Sequence, residues 1–251
     1  NGTVNISAAS FRDPITIRTP GGSIYVNGQL TGTDNASITL DGSYATTYVK
    51  ANIVTEATAI TIDDRVRLHT DIILDTTHNN NTAGADITVL DRIDANSTSA
   101  QGLIFKAGTD GIVYLNNSSN YIGNYTRLKS LTFDSAKEVR LYRNVYADNQ
   151  TYKSPVRLYS SPHFYTLAGG TVSFEKELII GNYDPTITAD NIDFKGGADS
   201  VTGGSGSYLT LQAYNSARTV GISGGAGDFQ LDAADIGALA NGFAQITIGN
   251  N

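Results

Sequence analysis

The chain has 251 residues, of which 40% are apolar and only 16% charged, and its polar surface rests on 29 Thr, 21 Asn and 20 Ser. Asp and Glu outnumber Lys and Arg by 24 to 17, a net charge of −7, which argues against nucleic acid as a partner. No apolar run approaches the ~20 residues a membrane-spanning helix needs, so membrane insertion is not expected.

In chain order, the recurring unit is a triplet with apolar residues at i and i+2. It runs through Ile15-Thr-Ile17, Ile24-Tyr-Val26, Ile38-Thr-Leu40, Ile60-Thr-Ile62, Val66-Arg-Leu68, Ile87-Thr-Val89 and Leu103-Ile-Phe105. It continues as Ile112-Val-Tyr114, Leu131-Thr-Phe133, Val139-Arg-Leu141, Val156-Arg-Leu158, Val172-Ser-Phe174 and Leu178-Ile-Ile180. The last third adds Ile192-Asp-Phe194, Leu209-Thr-Leu211, Val220-Gly-Ile222, Phe229-Gln-Leu231 and Ile246-Thr-Ile248. Period-two alternation in β-branched and aromatic residues gives short strands with one buried face. Gly, Asn and Asp clusters between them, such as Gly21-Gly22 and Asp41-Gly42, supply tight corners.

These strands are shorter than the ~5–6 residues usual in sandwiches and barrels. Every second or third triplet returns after roughly 17–22 residues, about one turn of a parallel β-helix. The pattern therefore predicts an all-β chain folded as a right-handed parallel β-helix of about 12 coils, roughly 55–60 Å long at the strand spacing of ~4.8 Å. Ile60, Ile62, Ile87, Val89, Leu209, Leu211, Ile246 and Ile248 are expected inside, with their central Thr facing solvent. One stretch breaks the pattern: the Ala-rich run 233–241, closed by Asn241-Gly242, is expected to be a short helical insertion at a corner. Residues 1–251 are read as one β-solenoid domain.

Two stretches resemble repeats of large bacterial surface and secreted adhesins of the filamentous-haemagglutinin type. One runs from Ile60-Thr-Ile-Asp-Asp-Arg-Val-Arg-Leu68 through Ala85-Asp-Ile-Thr-Val89 to Leu128-Lys-Ser-Leu-Thr-Phe133. The other runs from Ile187-Thr-Ala-Asp-Asn-Ile-Asp-Phe194 to Leu231-Asp-Ala-Ala-Asp-Ile-Gly-Ala-Leu-Ala-Asn-Gly-Phe243 and Ile246-Thr-Ile-Gly249. The resemblance implies a β-helix on an extracellular or cell-surface protein that acts as a stalk or adhesive fibre, without catalytic residues. A segment of a longer rod or a filament subunit is expected, meeting flanking repeats or other copies end to end. The absence of Met, even at position 1, is read in the same sense.

Chemistry is sparse. With no Cys there is neither disulfide nor thiolate chemistry, and His69, His78 and His163 stand apart from one another. No catalytic, cofactor-binding or metal-binding residues are assigned, and no cofactor. The rival reading is a carbohydrate-active β-helix, a polysaccharide lyase or hydrolase, which needs carboxylates flanking a sugar bond. Asp63-Asp64, followed by Arg65 and Arg67, is the densest candidate, with Asp75, Asp91 and Asp94 as its possible neighbours on adjoining coils; the competing account is a turn pair that caps corner amides. Gly224-Gly-Ala-Gly-Asp228 resembles a calcium-binding repeat, but its Asp falls one place early, and glycine corners explain it better. Nine Asn-x-Ser/Thr sequons, at Asn1, Asn5, Asn35, Asn80, Asn96, Asn116, Asn117, Asn124 and Asn149, fit either compositional bias or glycan attachment. The tyrosines of the middle third, Tyr114, Tyr121, Tyr125, Tyr142, Tyr146, Tyr152, Tyr159 and Tyr165, suit glycans, other surfaces or stacking between coils.

Overall fold

The computed structural model describes residues 2–115 and 121–249. Within them the chain winds into a parallel β-solenoid whose every named strand pair is parallel. Each coil contributes to three faces in order. The first coil supplies Val4–Ile6, Ala9–Phe11 and Ile15–Arg18; the second supplies Ile24–Val26, Leu30–Gly32 and Ile38–Asp41. The third face carries nine strands in unbroken order, from Ile15–Arg18 to Val201–Gly203, so the rod has about nine coils rather than twelve. Coil length explains the difference. Asp134 and Lys153 bond across adjacent coils at a separation of 19 residues, whereas Asp71 and Gly102 do so at 31. Long corner loops absorb chain that a uniform repeat assigns to further coils.

The register agrees with the expected one. Ile60, Ile62, Ile87, Leu209 and Leu211 are fully buried and Val89 nearly so, while Thr61, Thr88 and Thr210 between them are partly exposed. Ile246 and Ile248 are only partly covered, because Gln245–Ile248 has a sheet neighbour on one side alone. Along the second face, one inward column can be followed from coil to coil as Ala9, Leu30, Ile53, Leu74, Phe105, Phe133, Tyr152, Phe174 and Phe194. Its aromatic part is a continuous stack with centroid spacings of 5.1, 5.1, 4.7 and 5.9 Å. Tyr152 is thus a core rung, not a surface tyrosine. The same coil is stitched by fully buried Gln150, whose Nε2 donates to the Val145 and Tyr165 carbonyls while its Oε1 accepts from the Tyr152 hydroxyl.

The Asn and Asp enrichment has a structural cause. Asn52, Asp71, Asp86 and Asn144 each precede a strand, and each accepts an amide hydrogen from a strand one coil further on, at Ile73, Gly102, Ile112 and His163. Short carboxamides and carboxylates at corners satisfy donors that the ladder leaves open.

The helix forms at Ala233–Ala238 and is the one α-helix among the described residues; His78–Asn80 adds a 3-10 turn that the triplet pattern gives no hint of. Asp232 caps it by accepting from the Ala234 and Asp235 amides, and Asp235 returns a bond from the Asp232 amide. It stops before Asn241-Gly242 because Leu239 turns extended and bridges Val201 of the third face, where an apolar residue is wanted inside. The helix is also more than a corner insertion. The excursion 214–238 leaves the coil, pairs Val220–Ile222 with Phe229–Leu231, and lays the latter strand and the helix against Asn191–Phe194 before Leu239 returns to the third face. Buried Phe229 and Leu231, with Asp235 accepting from the Phe194 amide at 2.8 Å, cover the end of the aromatic column.

Candidate functional site

The Asp63-Asp64 candidate lies at the corner between the third and first faces. Asp64 is fully buried, and its Oδ2 accepts from the Gly42 amide at 2.6 Å and the Thr47 hydroxyl at 2.8 Å. Asp41 is held by Arg18 at 2.6 Å and by the Ser43 amide, which keep its carboxyl below the usual range. Asp91 pairs with Arg65 at 3.8 Å. Asp63 stays half-exposed, its pKa raised by burial and by the Asp41 and Asp91 carboxylates. The fold therefore brings Asp63, Asp64 and Asp91 to one corner and adds Asp41. Asp94 stands beside them on the first face, opposite Arg67, and accepts from the Tyr125 and Thr126 amides. Asp75 does not join: it sits on the second face and caps the Thr77 amide and hydroxyl.

The sequence also gives no notice of Arg143. It is 3% exposed, donates to the Leu90 carbonyl at 2.9 Å, and burial lowers its pKa to about 10 against the opposing pull of Asp91. A surface-like Tyr-Arg-Asn run conceals it, since only the stacking of coils shows which corner residue turns inward. This corner is an internal polar seam that ties coil to coil.

Burial, opposed by the Thr47 and Gly42 hydrogen bonds, raises the Asp64 pKa. A carboxyl raised in the folded state stabilises the fold below its unfolded value, and that stabilisation is lost as pH rises through the folded value. Asp64→Asn removes this dependence. The substitution should therefore cost more at about pH 4 than at about pH 7, measured by urea denaturation. Equal costs at both values would show that Asp64 does not titrate across this range.

Other candidates separate from one another. Among the described residues no three His, Asp or Glu side chains are arranged to hold a metal ion. His163 bonds the Thr188 hydroxyl at 2.7 Å, and His69 packs edge-on against Tyr48. The Gly224–Asp228 segment is a close-packed turn: a Cβ on Gly221 would lie 2.3 Å from the Gly225 carbonyl oxygen, and Asp228 accepts from Thr219. Of the sequon asparagines, Asn5, Asn35, Asn80, Asn96, Asn124 and Asn149 are exposed, whereas Asn1, Asn116 and Asn117 lie outside the described residues.

The other tyrosines of the middle third fall into two outward groups. On the first face, Tyr121, Tyr146, Tyr165 and Tyr214 meet edge-on or tilted at 5.8–6.2 Å. Arg127 lies over Tyr146 and Tyr165, and Arg92 over Tyr125. There the rings are largely engaged with one another and with guanidinium groups. On the third face, Tyr142 and Tyr159 stack face to face at 4.7 Å, with Tyr114 beneath Arg140 and Glu138 shared by Arg140 and Arg157 at 2.6 and 3.0 Å. Burial alone would raise Glu138, but these two arginines hold its carboxyl below the usual range.

Comparison with models of protein families, with curated protein sequences and with solved structures finds no match to this chain.

Proposed function

We propose that the chain is a structural and adhesive β-solenoid of the filamentous-haemagglutinin type, displayed on a bacterial cell surface or in an extracellular fibre, and that it performs no catalysis. The observation that carries this reading is the division of labour along the rod. Inward positions form continuous apolar columns, and outward positions present threonine and tyrosine arrays that repeat from coil to coil. A regular outer surface of this kind suits multivalent contact with an extended partner. In this reading further β-structure, either flanking repeats or other copies, pairs with the open sheet edges at Val4–Ile6 and Gln245–Ile248, while the chain's own excursion covers the end of the aromatic column.

A polysaccharide lyase or hydrolase is the second reading, favoured by the raised carboxyl of Asp63 beside Asp41 and Asp91. Shared fold is analogy and decides nothing between the two. Incubation with neutral and uronate polysaccharides, read by reducing ends and by unsaturated uronate absorbance, separates them. The adhesive reading expects binding without product. Turnover abolished by Asp63→Asn or Asp64→Asn would overturn it.

A further inference from the structure

The Tyr142–Tyr159 stack stops abruptly. Leu141 pairs with Leu158, so these rings occupy successive rungs of one outward column. Arg157 pairs with Ile179 one coil on, the strand is irregular between Ile179 and Gly181, and Gly181 lines the same recess as Tyr159. Beside Tyr159, at Gly181, the outer surface therefore carries no side chain. A Cβ at Gly181, whose φ is +67°, would meet only the Tyr183 ring, at 4.0 Å. The result is a recess of about 320 Å³ lined by Arg157, Leu158, Tyr159, Ile179, Gly181 and Tyr183. This volume lies at the small end of the ~300–1,000 Å³ typical of ligand sites.

We propose that this recess binds one hexopyranose unit of a glycan as the third ring of the Tyr142–Tyr159 stack, a proposal that rests on the adhesive reading above. The stack supplies an aromatic floor at the spacing of one coil. A pyranose has the matching shape: an apolar face of C–H bonds for the ring below, and a rim of hydroxyls that need donors and acceptors. Arg157 meets that second need. Its Nε is committed to Glu138 at 3.0 Å, and its two terminal nitrogens make no hydrogen bond among the described residues. An aromatic side chain from a protein partner would satisfy the floor and leave those donors without an acceptor, at a cost wherever they are covered. The first-face tyrosines offer no equivalent rung, because their rings already meet one another and Arg127.

Saturation-transfer NMR with hexasaccharides of glucose, of N-acetylglucosamine and of galacturonate tests this on the full chain. At least one probe should take up saturation from tyrosine ring protons. Tyr159→Ala removes the floor, and Gly181→Asn fills the recess with a residue that tolerates positive φ. Each should weaken binding about fivefold to tenfold, the worth of one aromatic contact. Tyr25→Ala, in a separate stack with Tyr48, should leave binding unchanged. The proposal is overturned if none of the three hexasaccharides binds, or if binding survives both substitutions. Binding lost instead on Tyr146→Ala or Tyr165→Ala would move the site to the first face and keep the adhesive reading. Turnover of a probe, with binding still lost on Tyr159→Ala, would end the non-catalytic reading and leave the recess as a sugar subsite.

Discussion

Tyr152→Ala should destabilise the chain by about 3–5 kcal/mol, the range for emptying an aromatic site in a packed core. The ring is fully buried, stacked on Phe133 at 5.1 Å and Phe174 at 4.7 Å, and edge-on to Phe164 at 5.8 Å. Removing it opens a cavity in mid-column, where coils on both sides are already committed to their own rungs and cannot close it. Tyr152→Phe keeps the rings and leaves the buried Gln150 Oε1 without its donor, which should cost about 1–3 kcal/mol. Urea denaturation of both variants separates packing from hydrogen bonding. A loss below about 1 kcal/mol for Tyr152→Ala would mean the column is not continuous in solution.

Gly108→Ala should be nearly as damaging, for a backbone reason. Gly108 has φ +77°, and a Cβ there would stand 2.3 Å from the Ala83 carbonyl oxygen and 2.5 Å from its carbon. The left-handed conformation costs an L-residue about 1–2 kcal/mol, and forcing the two segments apart adds about 1–3 kcal/mol. The Thr109 and Asp110 amides, which bond the Thr82 and Ala83 carbonyls at 2.9 Å, should lose hydrogen-exchange protection first. Gly169→Ala is the control: its φ is +79°, but nothing lies within 4 Å of the added atom. It should show the conformational cost alone. Equal losses for the two variants would show that the close approach at Gly108 does not matter.

Local chemistry made much of the fold legible. The alternation of Ile-Thr-Ile and its relatives sets strand, register and inward face together, since a one-residue slip would turn every apolar side chain outward. The Ala-rich run marked the helix in the same local way, while its capping box at Asp232 and Asp235 came only with the structure. The corner carboxylates were legible as amide caps in kind, and Asp64 does bond corner groups, though as a buried one. Coil number was not legible, because separations of 19 and 31 residues between neighbouring coils follow loop lengths that carry no periodic signal.

The residue pattern on its own therefore determined that this chain is all-β, that its strands are short, that they stack as a solenoid, and which side of each strand is dry. These properties depend on residues two to four positions apart. Tertiary structure alone decided which residues meet: that Tyr152 stacks inside between Phe133 and Phe174, that Arg143 turns into the corner beside Asp91, that Leu239 leaves the helix for Val201, and that Gly181 lines one recess with Tyr159. The reason is physical. Stacking is set by the distance along the rod axis, and each coil reaches that distance through corners of unequal length, so the contacts that make the core and the candidate site join residues that no fixed spacing links.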